Sequence, residues 1–88
     1  MNNKVLVKLN VLELDNQYDM FIPVNEVVWK VKKLILKALS DMVDSSININ
    51  ESYVLMNKDN SKVYSNNELI INTDIRNATE LVLFKDSK

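Results

Sequence analysis

One helix-forming stretch constrains the fold of this chain more than any other feature. Residues 23–43 read PVNEVVWKVKKLILKALSDMV, and apolar residues recur in them at three- and four-residue spacing from Val28 to Met42. This spacing places the apolar side chains on one face of a helix and lysines on the opposite side. Asn25 precedes the repeat and can cap the first turn, so we predict a helix over residues of about 25–43.

The apolar surface of this predicted helix is wider than one packed face requires. Trp29 and Leu36 form a second stripe on its flank. Two interpretations stay open. In the first, loops cover the flank, or Trp29 packs only against the chain that enters the helix. In the second, Trp29 and Leu36 form a partner or dimer surface, where an exposed aromatic residue often contributes much of the binding energy.

The other segments alternate apolar and polar residues, as strands do. We predict strands at residues 4–12, 17–22, 52–56, 62–64 and 80–84, the first two joined as a hairpin. A helix that follows a hairpin and precedes a further strand packs across one face of the sheet. The order predicts one α+β domain over residues 1–88, with a mixed sheet of four or five strands in the β-grasp arrangement.

The composition removes most catalytic and metal-binding chemistry. The chain has no histidine and no cysteine, and its lack of glycine excludes glycine-rich phosphate loops. Asp41 and Asp44 are three residues apart and were considered as a catalytic or metal-binding pair, but two carboxylates at a solvated helix end need no such role. The turn at residues 57–61 lacks the glycine and the final glutamate of a calcium loop. We predict no catalytic residue, metal or cofactor, and a protein that is not an enzyme.

The charge balance gives no general attraction to nucleic acid or to membranes. The net charge is −1, no run approaches the length of a transmembrane helix, and the first ten residues lack the pattern of a signal peptide. We therefore expect no nucleic-acid partner and no membrane insertion. The local cluster of lysines on the helix is either a solvated face or a site for an acidic protein partner, at Lys30, Lys32, Lys33 and Lys37.

Residues 57–84 resemble the C-terminal half of the small ubiquitin-like proteins of the YukD/EsaB family. These bacterial proteins accompany the type VII, WXG100-type secretion systems. The likeness rests on residues 62–65 (KVYS), the apolar pair Leu69-Ile70, the pair Asp74-Ile75 and the run at 81–83 (LVL), and in shape it extends over residues 4–84. One departure is the turn Asn77-Ala78-Thr79, where the family typically has Asn-Gly-Asp.

The resemblance implies the ubiquitin-like β-grasp fold and a cytosolic accessory or regulatory role in type VII secretion, exerted through protein–protein interaction. Family members lack the glycine pair that ubiquitin uses for conjugation. This chain reads Phe84-Lys85-Asp86-Ser87-Lys88 at the same place, so we expect no conjugation.

The uncovered face of the sheet is the first predicted partner-binding surface. If Val5, Val7, Leu81 and Leu83 face the helix, their strand neighbours face outward, and the third strand contributes Leu55 if Val54 and Met56 point inward. The predicted patch then contains Leu6, Leu55, Val82 and Phe84, with Trp29 and Leu36 as a second surface. The alternative is a self-associating homodimeric module unrelated to secretion, in which these surfaces bury each other.

Overall fold

The computed structural model describes residues 3–42, 47–48 and 50–86. Strands β1 (Lys4–Val11) and β2 (Asn16–Pro23) form a hairpin through a short 3-10 helix at Leu12–Leu14. Helix α1 (Val28–Met42) follows, and then strands β3 (Tyr53–Asn57) and β4 (Glu80–Lys85), with a second 3-10 turn at Ile70–Asn72 between them. This order is that of the predicted α+β fold.

The described strands form one mixed sheet of four strands in the order β2-β1-β4-β3. The central pair, β1 and β4, is parallel, with Leu9 opposite Leu81 and Val11 opposite Leu83. Both outer pairs are antiparallel. Helix α1 covers one face of the sheet, and the apolar side chains between helix and sheet form the core. The largest fully buried ones include Leu9, Leu39, Leu55, Ile70, Ile75, Leu81 and Leu83.

The start of α1 differs from the prediction. The helix begins at Val28, not near Asn25, and Val27 instead pairs with Leu69 in an isolated β-bridge. The backbone N–H of Val28 donates to Glu68 O at 2.9 Å, and that of Trp29 donates to Asn66 O at 3.1 Å. Distant carbonyls therefore satisfy the first helical N–H groups, and the predicted Asn25 cap is not used. The predicted end at residue 43 lies outside the described residues.

Strand β3 faces the opposite way to the prediction. Leu55 is fully buried, with an exposure of 0%, whereas Val54 and Met56 are partly exposed. The pairing explains this orientation, because Leu55 lies opposite the core residue Leu83 and Val54 lies opposite Phe84. Leu55 is thus a core residue and is excluded from any partner surface on the open face.

The predicted strand at 62–64 is reduced to one isolated bridge between Met56 and Val63. Tyr64 N donates to Leu55 O at 3.1 Å, and Asn57 N donates to Lys62 O at 2.8 Å. These bonds cover the C-terminal half of the β3 edge without forming a ladder of strand length.

The turn before β4 adopts a backbone conformation that favours glycine, although it contains none. Ala78 has φ 73°, in the left-handed region. Its N–H donates to Leu6 O at 2.7 Å, and the Asn77 Oδ1 accepts the N–H of Leu6 at 2.8 Å. The turn thereby extends the pairing of β4 with β1, and these bonds hold the alanine in its unfavourable conformation.

We predict that Leu55→Ala lowers the free energy of unfolding by about 2–5 kcal/mol, because it opens a cavity in the core. The matched change Val54→Ala, one residue away on the other face, costs about 1 kcal/mol or less. Urea unfolding of both variants measures the difference. Equal losses, or a larger loss for Val54→Ala, would contradict the orientation of β3.

We predict that Ala78→Gly raises the free energy of unfolding by about 0.5–1 kcal/mol. Relief of the left-handed conformation outweighs the extra backbone entropy that glycine gives the unfolded chain. The same replacement in the middle of α1, Ala38→Gly, lowers it by about 1 kcal/mol. Thermal and urea unfolding should therefore give shifts of opposite sign, and a loss of stability in Ala78→Gly would show that the turn holds no strain.

Candidate functional site

The open face of the sheet does not form the single apolar patch that was predicted. In the parallel ladder of β1 and β4, Lys8 lies opposite Glu80. Leu6 lies two residues before Lys8, and Phe84 lies four residues after Glu80. At about 3.3 Å per residue, the two side chains are therefore roughly 20 Å apart along the sheet. Val82 lies between them on the same face but is only 9% exposed. The structure therefore separates Leu6 from Val82 and Phe84.

Leu6 instead lies opposite Phe21 in the β1–β2 ladder. Phe21 is the more exposed of the two at 62%, and Leu6 is 38% exposed. Sequence reasoning missed Phe21 as a site residue, although its alternation with Met20 and Ile22 already placed it on the outward side of β2. Cross-strand neighbours of this kind form one contact surface, which we call the Leu6–Phe21 patch.

A hollow of about 230 Å³ adjoins this patch, and Leu6, Asn77 and Ala78 are among the residues that line it. Lys8 and Asp19 border it and lie directly opposite each other on β1 and β2. The methyl group of Ala78 therefore lines this hollow, and a glycine at the same position would expose the backbone there instead. An apolar centre with polar groups at its margin is the usual arrangement of a protein-binding surface.

A second concave surface lies between α1, the start of β3 and the segment that follows β3, and we call it the Trp29 groove. Its volume is about 550 Å³. Trp29 and Lys33 line it from the helix, and Val63 and Tyr64 line it from the segment after β3. Leu36, predicted as a surface residue beside Trp29, is only 4% exposed and belongs to the core, so it contributes to the floor and not to an open stripe.

Lys32 fixes one end of the Trp29 groove. Its ammonium group donates to Tyr53 O at 2.8 Å, and this bond occupies a carbonyl on the edge strand β3. Burial lowers the pKa of Lys32, and the nearby Asp86 carboxylate opposes that shift. Lys32 is therefore a structural contact between helix and sheet, whereas Lys33 on the next position remains exposed.

Tyr64 is held in the groove wall by polar groups behind it. Its hydroxyl donates to Asp74 Oδ1 at 2.5 Å and accepts from Asn57 Nδ2 at 3.1 Å. Burial, followed by the bond to Asp74, raises the pKa of Tyr64 to about 12. The same bond is the main reason that the pKa of Asp74 is lowered. The network fixes the aromatic ring and ties the turn after β3 to the segment before β4.

Neither a cluster of candidate metal ligands nor a helix able to span a membrane is found in the described residues. Within residues 3–42, 47–48 and 50–86, no three acidic side chains cluster as a metal site would require. Asp44, which was considered above together with Asp41, lies outside the described residues. No helix in the described part of the chain has the length and apolarity needed to cross a membrane.

Solved structures identify the fold as ubiquitin-like β-grasp. The N-terminal ubiquitin-like domain of the 4931431F19Rik protein matches with a TM-score of 0.73 and 17% identity, over 100% of this chain and 80% of that one. A chain of the toluene 4-monooxygenase HD complex with the inhibitor 4-bromobenzoate matches with a TM-score of 0.75 and 5% identity, over 94% and 99%. At such identities the likeness shows the fold alone.

A third similar structure is a chain of the MycP5-free ESX-5 inner membrane complex. It matches with a TM-score of 0.70 and 13% identity. The match spans 99% of this chain but only 22% of the ESX-5 chain, so the likeness concerns one part of a larger protein. No family model and no curated protein sequence matches this chain.

We predict that the Tyr64 network makes stability fall with pH above the ordinary tyrosine range. Between pH 10, near the ordinary tyrosine pKa, and the pKa of about 12 in the folded protein, the unfolded chain ionises while the folded one keeps its proton. The free energy of unfolding therefore decreases across this window, and Tyr64→Phe removes that contribution.

Urea unfolding of wild type and Tyr64→Phe at several pH values from 8 to 12 tests this. Contributions from the lysines and from Tyr53 are present in both proteins and cancel in the comparison. The difference in stability between the two proteins should shrink as the pH rises. Curves that stay parallel would show that the Tyr64 hydroxyl has no special stabilisation in the folded state.

Proposed function

We propose that this chain is a non-catalytic protein-binding module that serves as a cytosolic accessory or regulatory component of a type VII secretion system. The observation that carries the binding role is the exposed Leu6–Phe21 patch on the open face of a ubiquitin-like sheet. An exposed phenylalanine beside a hollow is unfavourable to leave in water and favourable to bury in a partner.

Two observations support the connection with secretion. The chain resembles the YukD/EsaB family in the residues after β3, and its fold matches part of a chain in the ESX-5 inner membrane complex. The first rests on sequence pattern and the second on backbone geometry. The proposed partner is accordingly a component of the secretion machine.

The chemistry of the surface supports binding in preference to catalysis. The polar groups around the Leu6–Phe21 patch are Lys8, Asp19 and Asn77, and Lys8 lies directly opposite Asp19. An ammonium and a carboxylate so placed orient a partner at the rim, and the chain has no histidine or cysteine to act as base or nucleophile.

We expect Phe21→Glu to abolish partner capture, because it places a charge at the centre of the apolar patch. The matched control is Ile71→Glu, which makes a similar change at another exposed apolar side chain away from the sheet face. Each protein, checked for folding by circular dichroism, serves as bait in a membrane-containing native extract. Wild type and Ile71→Glu should retain secretion components, and Phe21→Glu should lose them at least tenfold.

The possible results separate the parts of the proposal. Retention of secretion components by all three baits would keep the role but move the site away from the Leu6–Phe21 patch. Absence of such components from every bait would overturn the secretion role. A molecular mass that rises with concentration for wild type but not for Phe21→Glu, measured by light scattering, would favour the homodimeric alternative.

A further inference from the structure

Charge is segregated in this molecule between the helix and everything else. Helix α1 contains four lysines and one aspartate, a formal charge of +3, in a chain of net charge −1. The remaining residues together therefore carry −4. A weakly acidic protein that concentrates its positive charge on one helix presents a surface suited to a negatively charged partner.

The basic helix face also presents apolar side chains to solvent. Trp29 is 41% exposed and Leu34 is 52% exposed. The ammonium groups of Lys30 and Lys33 lie 5.7 and 5.8 Å from the centroid of the Trp29 ring, within the range of a cation–π interaction. These contacts favour one position of the ring before a partner binds, which lowers the entropy cost of binding.

The lysines of this face are largely available to a partner. Lys30 forms a 3.8 Å ion pair with Glu26, one helical turn earlier. Lys33 and Lys37 form no ion pair with any carboxylate in the described part of the chain. They are four residues apart and both exposed, so their ammonium groups lie on the same side of the helix.

Trp29 separates two concavities. On one side lies the Trp29 groove, whose lining includes buried Leu36 and Tyr64 together with the acidic residues Glu51 and Asp86. On the other lies a hollow of about 400 Å³ lined by Leu34, Lys30, Lys33 and Glu26, the ion-pair partner of Lys30. An apolar side chain can enter beside the indole ring while acidic groups next to it reach the lysines. Mixed aromatic and basic surfaces of this kind match acidic segments that contain an apolar anchor.

We propose that the exposed face of α1 binds an acidic segment of a partner protein, with an apolar side chain of that segment beside Trp29 and its carboxylates on Lys33 and Lys37. Charge complementarity is the basis of this assignment. Trp29, Lys33 and Lys37 do not line the hollow beside the Leu6–Phe21 patch, whereas Leu34 and Phe21 line a shared hollow of about 190 Å³. The proposal stands whether or not the secretion role does. It gives the module two surfaces of different chemistry.

A protein segment fits this face better than an anionic membrane or a nucleic acid does. The main apolar side of α1 is buried in the core through Val28, Val31 and Leu39, so the helix offers a lipid surface three exposed large apolar side chains, those of Trp29, Leu34 and Met42. The negative charge of the other residues opposes both a broad phosphate surface and a lipid headgroup layer. A short segment meets less of this repulsion, because its carboxylates lie along Lys33 and Lys37 and it covers little of the rest of the surface.

Selection from a displayed library of random 12-residue peptides tests the chemistry directly. Wild-type protein is the target, and Lys33→Glu/Lys37→Glu is used for counter-selection. The selected peptides should be rich in aspartate and glutamate around at least one aromatic or aliphatic residue. Selected peptides without acidic enrichment would overturn the proposal, as would a library that yields no peptide specific to wild type.

The affinity and location of the best selected peptide then follow from Trp29 emission, since Trp29 is the chain's only tryptophan. Lys33→Glu/Lys37→Glu should weaken binding at least tenfold, and the matched charge change Lys4→Glu/Lys85→Glu should alter it less than twofold. Raising the salt from about 50 to about 500 mM should weaken binding several-fold, because it screens exposed charges. An unchanged Trp29 emission, or equal affinity for both double variants, would overturn the assignment.

Two further measurements separate this site from other possibilities. Phe21→Glu should bind the selected peptide as wild type does, which distinguishes this surface from the Leu6–Phe21 patch, and a matching loss of affinity would overturn their independence. Vesicles of phosphatidylcholine with phosphatidylglycerol should leave Trp29 emission unchanged. A shift as large as the peptide causes would replace the protein segment with a membrane surface.

Discussion

Backbone hydrogen bonds join the start of helix α1 to the segment at residues 66–71, which leads into the 3-10 turn at Ile70–Asn72. The rest of the structure depends on this pairing. Val28 N and Trp29 N donate to carbonyls at 68 and 66, and in the reverse direction Ile70 N donates to Glu26 O at 3.0 Å and Ile71 N donates to Val24 O at 2.8 Å. These bonds satisfy the open end of the helix and place Ile70 in the core. They also fix the rotation of α1, and therefore decide that Trp29 faces outward.

The order and type of the elements could be predicted from the sequence, because alternation and helical spacing are local properties. The orientation of β3 could not. Its residues Tyr53, Val54, Leu55 and Met56 are all apolar, so a period of two has no visible phase, and only the pairing with β4 decides which side is buried. The sequence likewise could not decide which apolar residues on the flanks of α1 are buried. In the structure Leu36 is buried, whereas Trp29 and Leu34 are exposed.

The candidate sites depended on long-range register to a still greater degree. The outward direction of Leu6 and Phe21 was readable from each strand separately, but their position opposite each other required the hairpin register. Leu6 and Phe84 seemed to be neighbours because their strands are adjacent, yet the parallel pairing places them at opposite ends of the sheet. The cluster of lysines was visible in the sequence, whereas their approach to the Trp29 ring was not.

The parallel pairing of β1 with β4 has a consequence for how the chain reaches its native state. Lys8 and Glu80 are partners although 72 positions separate them in the numbering. Closing so long a loop costs entropy before any contact repays it, so we expect the central ladder to form late and slowly in folding. Until β4 arrives, the hairpin and helix expose the apolar residues that it will cover. During synthesis, this protein therefore passes through a period in which its unpaired central strand is open to association with other chains.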